Sequence, residues 1–196
     1  MPNTIDRRRL CAAILHNRGD LLVIAGLGAP AWDITATGDC AENFPLWGGM
    51  GGAAMMGLGL ALAQPNRRIL VITGDGEMLM GLGSLATIAV KRPPNLAILV
   101  QDNERYGETG MQETHTAHGV DLVAMASGAG IPRTLLVTSP DQLDDLRTAI
   151  HTPGCLFALA KITPTNEPLV LPPRDGAYLQ SRFREAVLGP SSHHQL

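Results

Sequence analysis

The sequence predicts an α/β fold, with a doubly wound, mainly parallel sheet and helices on both faces. Short apolar, β-branched runs alternate with longer helix-like segments along the 196-residue chain, and such alternation is typical of parallel sheets. Turn residues mark several boundaries, since Pro93-Pro94 stops one helix and Ser139-Pro140-Asp141 begins another. The alternation runs without an interdomain linker. We therefore expect a single domain over residues 1–189 and a flexible tail over residues 190–196.

The individual elements follow from these runs and their stop signals. The strands are assigned to the apolar runs that end at polar or glycine residues, and they are Leu21–Ala25, Ile69–Thr73, Leu96–Gln101, Thr134–Thr138 and Leu156–Ile162. The helices are assigned to the longer segments between them, and they are Asp6–Asn17, Met50–Gln64, Glu77–Lys91, Val120–Gly128, Pro140–His151 and Gly176–Leu188. Gly189-Pro190 ends the last helix.

Composition agrees with one globular domain and excludes several classes of protein. With 45% hydrophobic and 17% charged residues, the chain can bury a substantial core and is not intrinsically disordered. A net charge of −3 gives no electrostatic reason to expect nucleic-acid binding. Three separated cysteines, Cys11, Cys40 and Cys155, indicate free thiols in a reducing cytoplasm. The apolar run Leu10–Leu15 near the basic N-terminus is too short for a secretory signal.

Two segments allow other interpretations. The uncharged stretch Phe44–Ala63 has twenty residues, which is long enough to cross a bilayer. Its six glycines and the internal Pro45 instead favour a closely packed buried helix, so we expect no membrane partner. The turn Gly26–Ala31 matches G-x-G-x-x-A after a strand, as in dinucleotide-binding proteins. Pro30 fits that turn poorly and no acidic residue ends a second strand about twenty residues on, so a dinucleotide site is not expected.

The most informative motif joins two polar strand ends. One β-branched run stops at Gly74-Asp75-Gly76, and the next apolar run stops at Asp102-Asn103. The carboxyl ends of parallel strands form the ligand crevice of an open α/β sheet. Asp75 and Asn103 can therefore converge there although 28 positions separate them. Carboxylate and amide oxygens suit Mg²⁺, so the sequence predicts a magnesium site where these two strands end.

This motif resembles the cofactor motif of thiamine diphosphate enzymes, a Gly-Asp-Gly followed a little under thirty residues later by Asn at a strand end. The resemblance covers roughly residues 39–160. It implies that Asp75, Asn103 and the backbone carbonyl of Arg105 bind Mg²⁺, which holds the cofactor's diphosphate. It also implies that backbone N–H groups at the start of the following helix face the phosphates. The residues expected to contact the cofactor around both motifs are Gly74, Asp75, Gly76, Glu77, Asn103, Arg105, Tyr106 and Gly107.

A glycine-rich segment upstream, Phe44–Gly52, is suited to a flat ring. Only glycine lets a backbone approach a flat ligand at van der Waals distance, and a loop that enters a helix leaves backbone groups free to bond it. In decarboxylases of the thiamine diphosphate family the matching loop binds the aminopyrimidine ring. The resemblance implies that Gly48 supplies a carbonyl, that Gly49 belongs to the cofactor site, and that Met50 supplies an amide and wedges the cofactor into a bent shape. The bend brings the amino group to the thiazolium carbon that reacts.

The segment 104–119 follows the predicted metal ligands and shows no apolar periodicity. A loop there would cover the cofactor and meet the substrate. The candidates for catalytic contacts are Glu108, Thr109, Gln112 and His115, and His118 is a further candidate for a polar contact. Because histidine can move protons near neutral pH, we expect at least one of these side chains to touch the substrate.

Within the thiamine diphosphate family, the chain most resembles the small beta subunits of sulfopyruvate decarboxylases and the matching part of phosphonopyruvate decarboxylases. The similarity lies in the segments GDCAENFPLWGGMG, QPNRRILVITGDGEMLMGLGSLATIA, DNERYGETGMQETHT and DGAYLQSRFREA. Two positions depart from that pattern, since Gly49 stands where Ser is common and Arg105 where a small residue is common. Arg105 either adds a cation near the metal loop or points into solvent.

The resemblance also implies a missing part. Thiamine diphosphate enzymes need a glutamate from a separate pyrimidine-binding domain, and every segment of this chain is already assigned to one diphosphate-binding domain. We therefore expect an alpha subunit that carries the pyrimidine-binding domain, an active site between the chains, and an oligomer of such heterodimers.

The implied function is that of the beta subunit of a thiamine diphosphate- and Mg²⁺-dependent decarboxylase. Its small-molecule substrate would be a 2-oxo acid, sulfopyruvate or phosphonopyruvate, and activity would require the partner subunit. One alternative is a subunit of another thiamine diphosphate enzyme, a carboligase or an oxidoreductase. The other is a cofactor-binding regulatory subunit without catalytic activity.

Overall fold

A parallel sheet forms the centre of the protein in the computed structural model, which describes residues 5–190 and residue 192. The strands are β1 (Leu22–Ala25), β2 (Asn43–Pro45), β3 (Ile69–Gly74), β4 (Leu96–Asp102), β5 (Arg105–Tyr106), β6 (Gln112–Glu113), β7 (Arg133–Val137) and β8 (Leu156–Lys161). Six of them form one sheet in the order β2-β1-β3-β4-β8-β7, with every neighbouring pair parallel. The strands β5 and β6 form a separate antiparallel hairpin.

Helices cover both faces of the sheet. They are α1 (Arg7–Leu15), α2 (Ala29–Ala36), α3 (Ala53–Ala63), α4 (Asp75–Met80), α5 (Ser84–Lys91), α6 (Leu122–Ala129), α7 (Leu143–His151) and α8 (Gly176–Leu188). Residues of α1, α2 and α7 pack on one face, and residues of α3, α4, α5, α6 and α8 pack on the other. The predicted doubly wound α/β class is therefore confirmed.

The core has two apolar layers because side chains along a strand point alternately to opposite faces. In β4, Leu96, Ile98 and Val100 belong to the layer under α3, while Ala97 and Leu99 belong to the layer under α1. All of these side chains are fully buried. A strand buried on both faces has a continuous apolar sequence, and this explains why the strands were readily predicted. Each predicted strand ends within one residue of the observed one.

The chain changes direction across the sheet at β1. From β1 it passes to β2 on one side, and it then returns to β3 on the other side. The carboxyl ends of β1 and β3 therefore border a crevice at a topological switch point, which is where open α/β sheets bind ligands. This arrangement places the turn after β1 beside the Gly74-Asp75-Gly76 segment.

The segment between β1 and α3 contains two elements that the sequence did not predict. The helix α2 begins at Ala29, directly after the glycine turn, and β2 adds a strand at the sheet edge. The expectation that Pro30 fits this turn poorly is wrong. Pro30 occupies the first turn of α2, where a missing backbone N–H costs nothing and a fixed φ favours the helix.

The predicted helix Glu77–Lys91 is two helices, α4 and α5, separated at Gly81–Gly83. The break has a packing reason. A side chain at Gly81 would meet the backbone oxygen of Gly51 at 2.3 Å, so the two backbones touch. The predicted helix Met50–Gln64 also begins too early, because α3 begins at Ala53 and Met50 lies in the loop before it.

No helix in the described part of the chain is both long and apolar enough to cross a membrane. The apolar stretch considered for such a span contains α3, which has only 11 residues. The predicted tail over residues 190–196 falls mostly outside the described residues. Within it, Ser192 is buried.

Two glycines of α3 offer a matched test of the close packing between this helix and the sheet. A side chain at Gly57 would lie 2.2 Å from Val71 Cγ2, whereas nothing lies within 4 Å of the same position at Gly59. We expect Gly57→Ala to lower the free energy of unfolding by about 1–3 kcal/mol, because the core would be overpacked. Gly59→Ala should raise it by roughly 0.5–1 kcal/mol through helix propensity. Chemical denaturation measures both, and equal effects of the two substitutions would contradict this packing.

Candidate active site

A cleft opens where β3 and β4 end, at the predicted edge of the sheet. Gly74 pairs with Gln101 across the two strands, so Asp75 and Asn103 follow neighbouring strand ends. The cleft has a volume of about 160 Å³. Its lining residues are Leu27, Ala29, Pro30, Met50, Gly74, Asp75, Gly76, Glu77, Gln101, Asn103, Arg105, Tyr106, Gly107, Glu108, Thr109 and Ile162.

Two threonine hydroxyl groups hold the carboxylate of Asp75 from behind. Thr114 Oγ1 donates to Asp75 Oδ2, and Thr116 Oγ1 lies 3.0 Å from the same oxygen. Asp75 is only 1% exposed, and both threonines are buried as well. Both contacts involve Oδ2, so Oδ1 is left outside this pair of hydrogen bonds. The carboxylate therefore has a fixed orientation beside the cleft.

A second buried carboxylate lies beside the first. Thr116 Oγ1 is 2.8 Å from Asp102 Oδ1, so its single hydroxyl proton lies between two acidic side chains. Lys161 Nζ lies 2.7 Å from Asp102 Oδ2 and 2.7 Å from Glu104 Oε1. Asp102 is only 1% exposed, and a buried charge needs such a partner.

The pKa values in this cluster follow from burial and from these contacts. Burial raises the pKa of Asp75, and the charge of Asp102 adds to it, while the hydrogen bonds from Thr114 and Thr116 act in the opposite direction. Burial alone would lower the pKa of Lys161. The hydrogen bonds and charges of Asp102 and Glu104 outweigh burial and raise it. Lys161 therefore stays charged and compensates the paired carboxylates.

The segment after β4 turns back over the Gly74-Asp75-Gly76 motif. Asn103 Oδ1 accepts a hydrogen bond from the backbone N–H of Arg105 at 2.9 Å. A side chain at Gly76 would meet the ring of Tyr106 at 2.4 Å, so the ring packs directly on the motif and only glycine fits beneath it. The guanidinium of Arg105 pairs with Glu113 across the β5–β6 hairpin at 3.2 Å. It therefore has an acidic partner instead of facing solvent alone.

The glycine-rich loop reaches the cleft through one side chain. Met50 lines the cleft and is 38% exposed, whereas Gly48 and Gly49 do not line it. Gly49 and Gly51 have φ values of +72° and +92°, a backbone region that favours glycine. The loop is closed by a hydrogen bond from the Gly52 amide to the Gly49 oxygen at 2.9 Å. The wedge proposed for Met50 stays a prediction.

The polar candidates of segment 104–119 divide into two groups. Glu108 and Thr109 line the cleft, and burial raises the pKa of Glu108. Gln112 bonds Thr109 instead, with its Nε2 donating to the Thr109 oxygen at 2.7 Å. His118 lies 3.1 Å from Glu113 on the surface, and His115 is exposed. The structure thus brings two of the five candidates to the cleft.

Several lining or supporting residues were not predicted from the sequence. Thr114, Thr116 and Lys161 contact the buried carboxylates, and Gln101 lines the cleft just before them. The turn Gly26–Ala31, set aside as an imitation of a dinucleotide motif, borders the same cleft through Leu27, Ala29 and Pro30. The sequence signal that could have placed this turn at the cleft was its pattern of a strand, a glycine turn and a helix.

The side-chain oxygens at the cleft fit a divalent cation whose coordination is completed by other oxygens. Asp75 and Asn103 supply side-chain oxygens of the kind that Mg²⁺ prefers. Among the described residues there is no cluster of three or more His, Cys, Asp or Glu side chains that could hold a metal. A cation here would therefore need backbone carbonyl and ligand oxygens in addition, as is usual for Mg²⁺ bound with a phosphate group.

Comparison with known families identifies the cleft. The family model of the thiamine pyrophosphate enzymes, C-terminal TPP-binding domain, matches residues 28–158. The chain belongs to this family. The matched residues include most of the turn after β1, the glycine-rich loop, both polar strand ends and the loop that covers them. The cleft therefore lies within a domain that binds thiamine diphosphate, which is another name for thiamine pyrophosphate.

Two individual relatives are decarboxylases. The chain is 35% identical to the sulfopyruvate decarboxylase subunit beta of Methanocaldococcus jannaschii over 95% of this chain and 97% of that subunit. It is 38% identical to the phosphonopyruvate decarboxylase of Streptomyces viridochromogenes over 87% of this chain and 43% of that enzyme. The predicted resemblance to both groups of decarboxylases is confirmed.

A solved structure supports the fold. The crystal structure of benzoylformate decarboxylase from Polynucleobacter necessarius matches with a TM-score of 0.65 and 19% sequence identity. The match covers 86% of this chain and 36% of that one, so this chain spans about a third of that larger protein. At this identity the likeness concerns the fold alone.

The shared threonine can be tested through stability. Thr116→Val removes the hydroxyl that serves both Asp75 and Asp102, so we expect the free energy of unfolding to fall by about 1–3 kcal/mol. Thr116→Ser, which keeps the hydroxyl, should lose less. Thr109→Val in the same loop is the matched control, because Thr109 is exposed. Urea denaturation measures the free energy of unfolding of each variant. Equal values for Thr116→Val and Thr109→Val would contradict the role of the shared hydroxyl.

Proposed function

We propose that this chain is the beta subunit of a two-component, thiamine diphosphate- and Mg²⁺-dependent decarboxylase of 2-oxo acids. The substrate would be sulfopyruvate or phosphonopyruvate. The observation that carries the proposal is the 35% identity to a sulfopyruvate decarboxylase beta subunit over 97% of that subunit's length. The arrangement of Asp75 and Asn103 at one cleft supports it.

Different residues of the cleft would bind the cation and the diphosphate of the cofactor. Asp75, Asn103 and the carbonyl oxygen of Arg105 would bind Mg²⁺. The backbone amides of Gly76 and Glu77 would face the diphosphate. When bound, thiamine diphosphate supplies a positively charged thiazolium ring that accepts the electrons released as CO₂ leaves.

Other residues shape the site around the cofactor. Gly74, Tyr106 and Gly107 line the same end of the cleft and would exclude water from the diphosphate. Gly48, Gly49 and Met50 would bind the aminopyrimidine ring. This assignment does not require Gly48 and Gly49 to line the present cleft, because the ring would extend the site toward the loop.

The substrate would approach over the loop that carries Glu108 and Thr109. These two side chains already border the cleft, and Glu108 is the titratable one. Burial raises its pKa, which is the direction that suits a general acid. Gln112 and His115 lie farther along the same loop, and they would reach the substrate only if the loop closes over it.

A partner subunit is needed to complete this site. The cleft volume of about 160 Å³ is smaller than the roughly 300–1,000 Å³ of complete ligand sites. Apolar side chains in or against the glycine-rich loop are exposed, including Trp47 at 41%, Met56 at 45% and Met80 at 64%. A patch of this kind marks an interface. The name of the relative as a subunit beta agrees with an alpha partner that carries the pyrimidine-binding domain.

We infer further that such heterodimers assemble into a larger oligomer in the cytoplasm. Symmetric oligomers are the usual form of enzymes whose sites lie between chains. Cys11, Cys40 and Cys155 are all free thiols, which agrees with a reducing compartment.

Asp75→Ala tests the cation site. Removing the buried carboxylate should abolish measurable binding of thiamine diphosphate with Mg²⁺, because the cation bridges the protein to the diphosphate. Calorimetry on the assembled enzyme measures this. The matched control is Asp144→Ala, on the exposed side of α7, which should bind the cofactor normally. Unchanged cofactor affinity in Asp75→Ala would exclude the assignment.

The partner requirement gives a second test. The purified chain alone should release no CO₂ from sulfopyruvate or phosphonopyruvate, even with saturating thiamine diphosphate and Mg²⁺. Addition of the pyrimidine-binding subunit should restore release. Product analysis distinguishes the alternatives, since a carboligase would form a longer carbon chain, an oxidoreductase would need an electron acceptor, and a regulatory subunit would give no product. Decarboxylation by the isolated chain would contradict the two-subunit site.

A further inference from the structure

Glu77 is a buried acidic residue whose side chain has no role in the proposed chemistry. It lies two residues after Asp75 and lines the cleft, yet it is only 4% exposed. Thr73 Oγ1 donates to Glu77 Oε2 at 2.8 Å. Glu77 Oε1 has no hydrogen-bond partner of ordinary geometry among the described residues. The proposed function uses only the backbone amide of Glu77, so its buried carboxylate calls for another explanation.

The carboxylate lies in contact with the turn after β1. A side chain at Gly26 would lie 1.8 Å from Glu77 Oε2 and 3.1 Å from Thr73 Oγ1. Gly26 is not among the glycines with positive φ, so glycine is needed at this position for space and not for backbone conformation. The end of β1 and the start of α4 therefore fit together through the carboxylate of Glu77.

The same carboxylate faces the glycine-rich loop. Burial raises the pKa of Glu77, while the hydrogen bond from Thr73 and the backbone amides of Ala53, Gly51 and Leu27 act in the opposite direction. Ala53 is the first residue of α3, and the N-cap residue Gly52 has no side chain to bond the free amides there. An acidic group is favourable at a helix N-terminus. Glu77 supplies that group to α3 from a different helix.

We propose that Glu77 is a positioning residue, whose carboxylate holds the loop that carries Met50 against the turn that carries Leu27. Met50 and Leu27 both line the cleft. This inference rests on the proposed function, because the cleft that these two segments line is proposed there to hold the cofactor ring. The cation ligands Asp75 and Asn103 bind the other end of the cofactor and do not depend on this contact.

The first test compares turnover with cofactor binding in the assembled enzyme. Glu77→Ala should lower kcat by on the order of tenfold to a hundredfold, since a small displacement of reacting groups has effects of this size. The Kd for thiamine diphosphate with Mg²⁺ should change by less than about twofold, because the cation ligands are retained. Glu77→Gln keeps the side-chain length and an acceptor oxygen, and it should recover most of kcat.

The second test substitutes Gly26, so the inference can still be tested if one of the variants fails to fold. Gly26→Ala should lower kcat as Glu77→Ala does, because the added methyl group displaces the carboxylate. In the double variant Gly26→Ala/Glu77→Ala the clash with the carboxylate is gone, so kcat should be close to that of Glu77→Ala alone. Gly59→Ala, which adds a methyl group in open space, is the matched control and should leave kcat unchanged.

A third measurement separates this inference from the proposed function. Hydrogen exchange of the amides in residues 48–53 should be faster in Glu77→Ala than in the unsubstituted chain, while exchange in α7 stays the same. This result needs no substrate. If the unsubstituted enzyme decarboxylates no 2-oxo acid, the proposed function fails, and exchange alone decides whether Glu77 holds the loop.

Two outcomes would overturn the inference. One is a Glu77→Ala enzyme whose kcat stays within about twofold of the original, together with unchanged exchange in residues 48–53. The other is an equal loss of kcat and cofactor affinity that Glu77→Gln does not recover, which would make Glu77 part of the diphosphate site itself.

Discussion

Two carboxylates buried side by side form the constraint on which the rest of the site depends. Asp75 and Asp102 lie at the carboxyl ends of adjacent strands and share the hydroxyl of Thr116. Like charges at this distance repel each other strongly inside a protein. The arrangement is tolerable because Lys161 neutralises one carboxylate from the far side. A divalent cation at the cleft would neutralise the other.

This constraint explains why the loop after β4 folds back over the cleft. Thr114 and Thr116 belong to that loop, and they reach Asp75 across 39 and 41 positions of sequence. The β5–β6 hairpin brings them there, and the pair Arg105–Glu113 closes it. The loop therefore holds the carboxylates, and among the candidate polar side chains of this loop Glu108 and Thr109 line the cleft.

The sequence predicted the parts of the fold that depend on local patterns. A strand buried on both faces must be apolar throughout, so β3 and β4 were found within one residue, and their polar ends located the cleft. The helix α2 was not predicted, although Pro30 lies in its first turn, a position that proline favours. The break between α4 and α5 depends on the approach of Gly51 to Gly81, which no local pattern records.

The same distinction applies to the site. Asp75 and Asn103 could be identified because each ends a strand. Thr116 could not, because a threonine in a polar loop has no signal of its own until the fold brings it 3.0 Å from a carboxylate. Glu77 was expected to contribute only its backbone amide. Its side chain packs against Gly26 instead, a contact that joins segments about fifty positions apart.

The contact between Gly51 and Gly81 has a consequence for how the cleft can change during evolution. Backbone atoms alone make this contact, so it does not depend on which side chains surround it. The loop that ends at Gly51 is therefore seated on the α4–α5 break whatever residue stands at position 50. The neighbouring Met50 projects into the cleft. Position 50 can accordingly vary in size and change the space inside the cleft, while the supporting backbone keeps its shape.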